Sequence, residues 1–145
     1  MSLTDIERQT IVQYQYEKAV RFMEEARTII SVRLWEAAAN RLYYALYHAV
    51  TALLVSNKLS ASTHQGTVTL LGKHFVQTGL FTTEEGRFYS QLQTLRENGD
   101  YNCFIQVTEE DILPRIEPAQ NLLDKIGQYL QEKGFIPAET TETKE

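Results

Sequence analysis

Cysteine is nearly absent: Cys103 is the single thiol in 145 residues, which excludes an internal disulfide and any thiolate metal cluster within one chain. Asn102 and Phe104 flank it, with no basic residue beside it to lower its pKa, so a small buried apolar side chain is expected there. Histidine is almost as scarce. His48, His64 and His74 form no His-x-x-x-His or Glu-x-x-His pair, so no metal site is expected, and no glycine-rich phosphate loop or dinucleotide fingerprint points to a cofactor. Ser-His-Asp chemistry finds no support either. No run approaches the roughly eighteen apolar residues of a membrane span. "MSLTDIERQT" carries acids where a signal peptide carries base and then an apolar block, so a cytoplasmic chain is expected. Positive charge is also lacking. The net charge of −5 argues against binding nucleic acid broadly through a general field, although part of it sits in the terminal "GFIPAETTETKE" and a local basic patch is compatible with it.

What is present is helical periodicity, without sustained alternation. Val12, Tyr16, Ala19, Met23, Ala26 and Ile30 recur at steps of four and three. So do Trp35, Ala39, Leu42, Leu46, Ala49 and Leu53, and again Ile112, Ile116, Ala119, Leu123, Ile126 and Leu130. Two shorter helices are predicted over 63–77 and 83–98, the latter capped by Thr82 or Thr83 with Glu84 and Glu85 in its first turn. Thr108 and Asp111 resemble a capping box for the last helix, where Pro114 suits the first turn and Pro118 should kink the helix or delay its regular part. Short links, no repeat and no domain linker predict an all-α, antiparallel up-and-down bundle of four to five helices. Residues 1–134 would form this single domain and residues 135–145 a disordered acidic tail.

"RLYYALYHAVTALL" is apolar on two stripes, the second being Tyr43, Tyr47, Val50 and Leu54. Such a helix is either central in the bundle or packed against a second chain. Arg41 and His48 lie two turns apart on nearly one face. Arg41 has a bland alternative, an ion pair with Glu36 or an acid of another helix, and His48 has one as a hydrogen-bonded core residue. His64 opens the third helix. In "LRENGDYN" Gly99 and Asp100 read as the turn ending the fourth, close to Arg96 and Tyr101. These residues are candidates for one site. Its expected geometry places His48 and Arg96 within reach of one small ligand, directly or across a dimer interface.

Three segments, "AAANRLYYALYHAVTALL", "STHQGTVTLLGKHFVQTG" and "LRENGDY", together resemble the small prokaryotic branch of the HEPN superfamily over about residues 10–132. The resemblance implies a bundle often paired as a homodimer. It also implies membership of a toxin–antitoxin type module, in which a minimal nucleotidyltransferase serves as antitoxin. Many such proteins are metal-independent ribonucleases that use an Arg, four to six residues and a His. Here the positions after Arg96 are Tyr101, Asn102 and Cys103, and a phenol is a poor base at neutral pH. Arg41 and His48 match that spacing but lie on the second helix. The reading is therefore a module binding a nucleotide, RNA or a nucleotidyltransferase partner. Its ligand-binding candidates are Arg41, Tyr44, His48, His64, Arg96, Asp100 and Tyr101. The alternative is a ribonuclease with a rearranged centre built on Arg96 and His48 or His64.

Overall fold

A computed structural model describes residues 3–137. It is all helical, with no strand among the described residues: α1 Asp5–Ser31, α2 Trp35–Ser56, α3 His64–Leu71, α4 Thr83–Tyr101 and α5 Glu109–Glu132. One π-helical turn, Gly72–Val76, extends α3.

The helices begin where side chains satisfy free backbone donors. Thr4 and Thr82 each accept from the amide three residues on, while Glu7 and Glu85 reach back to the cap amides at 2.8 Å. In α5 the Asp111 carboxylate accepts from the Thr108 amide at 2.9 Å. The turn after α1 is closed by Arg33 at φ 62°, and the one after α2 by Lys58 at the same angle.

Cross-helix bonds fix the directions. Arg8 reaches the Val55 carbonyl, Gln15 meets His48 and Glu25 meets Arg41, so α1 and α2 are antiparallel. Asn40 bonds Asp100, while Tyr43 packs on Tyr89, so α2 opposes α4. Arg27 bonds Gln120 while Tyr16 bonds the Leu123 carbonyl, so α5 runs against α1, and Lys125 bonds Glu85 of α4. The result is an up-and-down four-helix arrangement with α3 as a short cross-member. Helix α2 packs on each of the other four. Its second stripe is absorbed by these neighbours, since Tyr43, Val50 and Leu54 are buried within the same chain. It is the central helix.

Several local expectations change. Pro114 falls in the second turn of α5, not the first, because the helix starts at Glu109; α5 also runs through Pro118 to Glu132. Pro118 is tolerated because it lies on the exposed side while Ala119, Leu122 and Leu123 next to it pack inward. Gly99 and Asp100 do not end α4, which continues to Tyr101. Val107 and the Glu36 backbone press close on Gly99, where a Cβ would approach within 3.3 Å of Val107, so the glycine serves packing and not a turn. Cys103 is exposed, not buried, because it lies in the connector after α4, outside the packed helix faces. Beyond the expected boundary at 134, Phe135 and Ile136 still pack on the core, while residues 138–145 of the expected tail lie outside the described residues.

Candidate functional site

The antiparallel crossing of α2 and α4 places Arg96 among aromatic rings. Its side chain is 4% exposed. The guanidinium carbon lies 5.1 Å from the Tyr43 ring centre, 5.4 Å from Tyr44 and 5.5 Å from Tyr101. Such contacts stabilise a cation by about 0.5–2 kcal/mol each, depending on desolvation. The hydrogen bonding around it is sparse. Nη1 is 3.4 Å from the Tyr101 hydroxyl and 3.8 Å from Asp100 Oδ2, and Nε is buried with no partner. Asp100 Oδ2 also accepts from Asn40 at 3.0 Å, so that acid is shared. The guanidinium is thus buried and only weakly paired, its Nε left without a partner.

His64 stands at the start of α3, where Thr63 accepts from the Gly66 amide at 2.9 Å. Its Nδ1 lies 2.8 Å from the Tyr43 hydroxyl, and its ring is 4.8 Å from Tyr47 and 5.7 Å from Tyr44. Burial, reinforced by the Arg96 charge, holds its pKa below the usual imidazole value. Burial pushes the Tyr43 phenol up to about 12. The Tyr43–His64 bond fits either tautomer, the phenol donating to a bare Nδ1 or accepting from a protonated one. Thr67 gives its hydroxyl proton to the His64 carbonyl at 2.6 Å and therefore accepts from the Tyr89 hydroxyl at 2.9 Å. Tyr89 in turn stacks on Tyr43, so a buried hydroxyl cluster backs the imidazole.

His48 occupies the other flank of the tyrosines. Its Nδ1 lies 2.8 Å from Gln15 Oε1, an acceptor, so Nδ1 carries the proton and Nε2 is bare. Phe22 meets its ring edge-on at 5.2 Å. Burial, then the charges of Lys18 and Arg21, lower its pKa to about 4. His48 and Arg96 share Tyr44, at 6.3 and 5.4 Å, and so approach one another across a single ring. Arg41 pairs with Glu25 of α1 at 2.8 Å, not with Glu36, and donates to Asn40 at 2.9 Å. A polar line thus runs from Glu25 through Arg41, Asn40 and Asp100 to Arg96.

These contacts link the seven candidate residues around Tyr44, with Arg96 itself buried. Arg96, Asp100, Tyr101 and His64 form one flank, and His48 and Arg41 the other. Sequence reasoning missed Asn40, Tyr43, Tyr47, Gln15 and Phe22 as members. The spacing of Asn40, Tyr44 and His48, four residues apart, would have placed Asn40 on the shared face. A separate groove of about 680 Å³ lies between α1 and α5, lined by Glu17, Glu24 and Asp124 with Arg27. Its acids make it unsuited to phosphate. Among the described residues no group of three or more His, Cys, Asp or Glu could hold a metal ion, and no helix is long and apolar enough to cross a membrane.

Comparison with known proteins gives a consistent picture. Residues 12–129 match the family model described as HEPN domain. A "UPF0332 protein" of Thermotoga maritima is 32% identical over 126 residues, covering 87% of this chain and 96% of that protein. Two proteins of Methanocaldococcus jannaschii are also similar. "Putative toxin MJ0142" is 24% identical, covering 88% of this chain and 87% of its own length; "Putative toxin MJ0605" is 30% identical, covering 83% and 90%.

Proposed function

We propose, from the premise that the chain belongs to the HEPN domain family, that it is a cytoplasmic toxin-type module binding a phosphate-bearing nucleotide or RNA at Arg96. The word toxin in the names of two relatives supports the module. A second copy of the chain and a minimal nucleotidyltransferase antitoxin are its proposed partners.

The observation that carries the reading is Arg96 itself. Burying a guanidinium with an unpartnered Nε and an acid 3.8 Å away is costly unless something else completes the pairing. A phosphate bound bidentately would do so. Tyr44, half-buried beside it, offers a ring face for a base. The test is binding of AMP and of a short RNA by calorimetry. Arg96→Lys keeps the charge but loses the fork, and should weaken both by about tenfold or more, roughly 1.4 kcal/mol. Unchanged affinity in a folded Arg96→Lys protein would sink the reading.

A second reading, a metal-independent ribonuclease, is favoured by one observation. Two imidazoles with lowered pKa flank the tyrosines, His48 with Nδ1 on Gln15 Oε1 and His64 with Nδ1 on the Tyr43 hydroxyl. Such a pair suits proton removal from a ribose hydroxyl and proton delivery to a leaving oxygen. Incubation of RNA with the protein in EDTA tests it. The reading expects cleavage by wild type and its loss in both His48→Ala and His64→Ala. An intact substrate with wild type removes it.

A further inference from the structure

The cations of the candidate site do not end at Arg96. On α1, Lys18 and Arg21 make no ion pair among the described residues, whereas Arg41 is tied to Glu25. The Lys18 ammonium rests 5.9 Å from the Tyr14 ring centre and 5.7 Å from that of Phe22. From there a row of rings leads back to the site. Phe22 meets His48 at 5.2 Å, His48 lies against Tyr44 at 6.3 Å, and Tyr44 lies under Arg96 at 5.4 Å. The α1 acids beside this row are engaged or turned aside. Glu25 is held by Arg41, while Glu17 and Glu24 line the groove facing α5. Lys18, half-buried against Phe22, and Arg21, exposed and next to Phe22 in the chain, both lower the His48 pKa after burial.

Unpaired cations at one end, a buried arginine at the other and rings between them are the parts of a single-strand track. One nucleotide stacks one base and cannot cover three rings. We infer that Lys18 and Arg21 of α1 form a second phosphate subsite, so that the ligand at Arg96 is a strand of several nucleotides laid across Tyr44 and Phe22. The inference rests on the proposed phosphate role of Arg96. It adds the path of the strand and a length requirement that Arg96 alone does not impose.

The experiment measures fluorescence anisotropy of labelled single-stranded RNA of two, four and eight nucleotides, with AMP competition reporting the Arg96 subsite. Wild type should gain affinity with length. The double variant Lys18→Ala with Arg21→Ala should lose about tenfold or more for the eight-nucleotide RNA and leave AMP competition unchanged. Its slope of log affinity against log salt should fall by about 1.4, the share of two single-strand phosphate contacts. Phe22→Leu, which keeps an apolar side chain, should weaken the longer RNAs only. As a charge-matched control, Arg115→Ala on α5 with Lys133→Ala at its C-terminal end should match wild type. Loss of AMP binding in Arg96→Lys together with full RNA affinity in the α1 double variant would overturn the second subsite alone. No effect of Arg96→Lys would overturn the underlying reading. An equal loss in the α5 control would mean a general charge effect and overturn the track, as would tight capture of polyglutamate at the same residues with no RNA bound.

Discussion

His48 shows how one residue's environment becomes a pH dependence. Its imidazole is partly buried, faces Lys18 and Arg21, and titrates at about 4 in the fold against 6.5 in an unfolded chain. The unfolded state therefore binds the proton more readily. The neutral form's contribution to stability is complete above the unfolded value and is lost as pH falls from 6.5 toward 4. The melting temperature should drop over that window. His48→Gln, which can still bond Gln15 and has no imidazole to titrate, should flatten the drop. Parallel melting curves for the two proteins between pH 7 and 4.5 would refute this account. Arg96 was visible in the sequence as an arginine too many for a surface turn. Its buried state was not, because burial depends on Tyr43 and Tyr44 arriving from another helix.

At the scale of the element, the long helices were legible because burial imposes its period on the sequence. Val12, Ala19, Met23 and Ala26 are buried on α1 as their spacing requires. Helix ends were legible where a side chain makes the cap, as at Thr82 with Glu85. Gly99 and Asp100 misled because a glycine near a helix end signals a stop only through local backbone freedom. Here the neighbouring Glu36 backbone and Val107 explain it instead. Pro118 was legible as a fault in α5 but not as a tolerated one. It removes a backbone donor from the middle of a helix whose other face is fully packed. Pro118→Ala should therefore raise the unfolding free energy by roughly 1–3 kcal/mol, less than the intrinsic penalty of an interior proline because the proline also restricts the unfolded chain. Urea titration checks it. A loss of stability would show that the ring's place in the groove with Glu84, Glu85 and Phe88 outweighs the missing hydrogen bond.

The whole molecule exposes its apolar surface unevenly. At the end of the bundle that holds Tyr101, Phe104 is 94% exposed and Ile105 48%, while Val32 and Leu34 in the turn after α1 are exposed as well. The Arg33–Glu109 ion pair at 2.6 Å and the fit of Gly99 against Glu36 bring these two connectors together. A lone exposed hydrophobe is ordinary, but several at one end mark a surface that gains by being covered. The proposed second copy is the occupant that family resemblance suggests, and the patch borders Tyr101, so association would enclose the Arg96 flank. Phe104→Asp with Ile105→Asp lies outside every helix and should leave the melting temperature of the fold nearly unchanged. Sedimentation at increasing concentration should show wild type approaching twice the chain mass and the double variant remaining at 16.7 kDa. A wild-type protein that stays at the mass of one chain at high micromolar concentration would refute self-association. A variant that still pairs would move the interface away from this end.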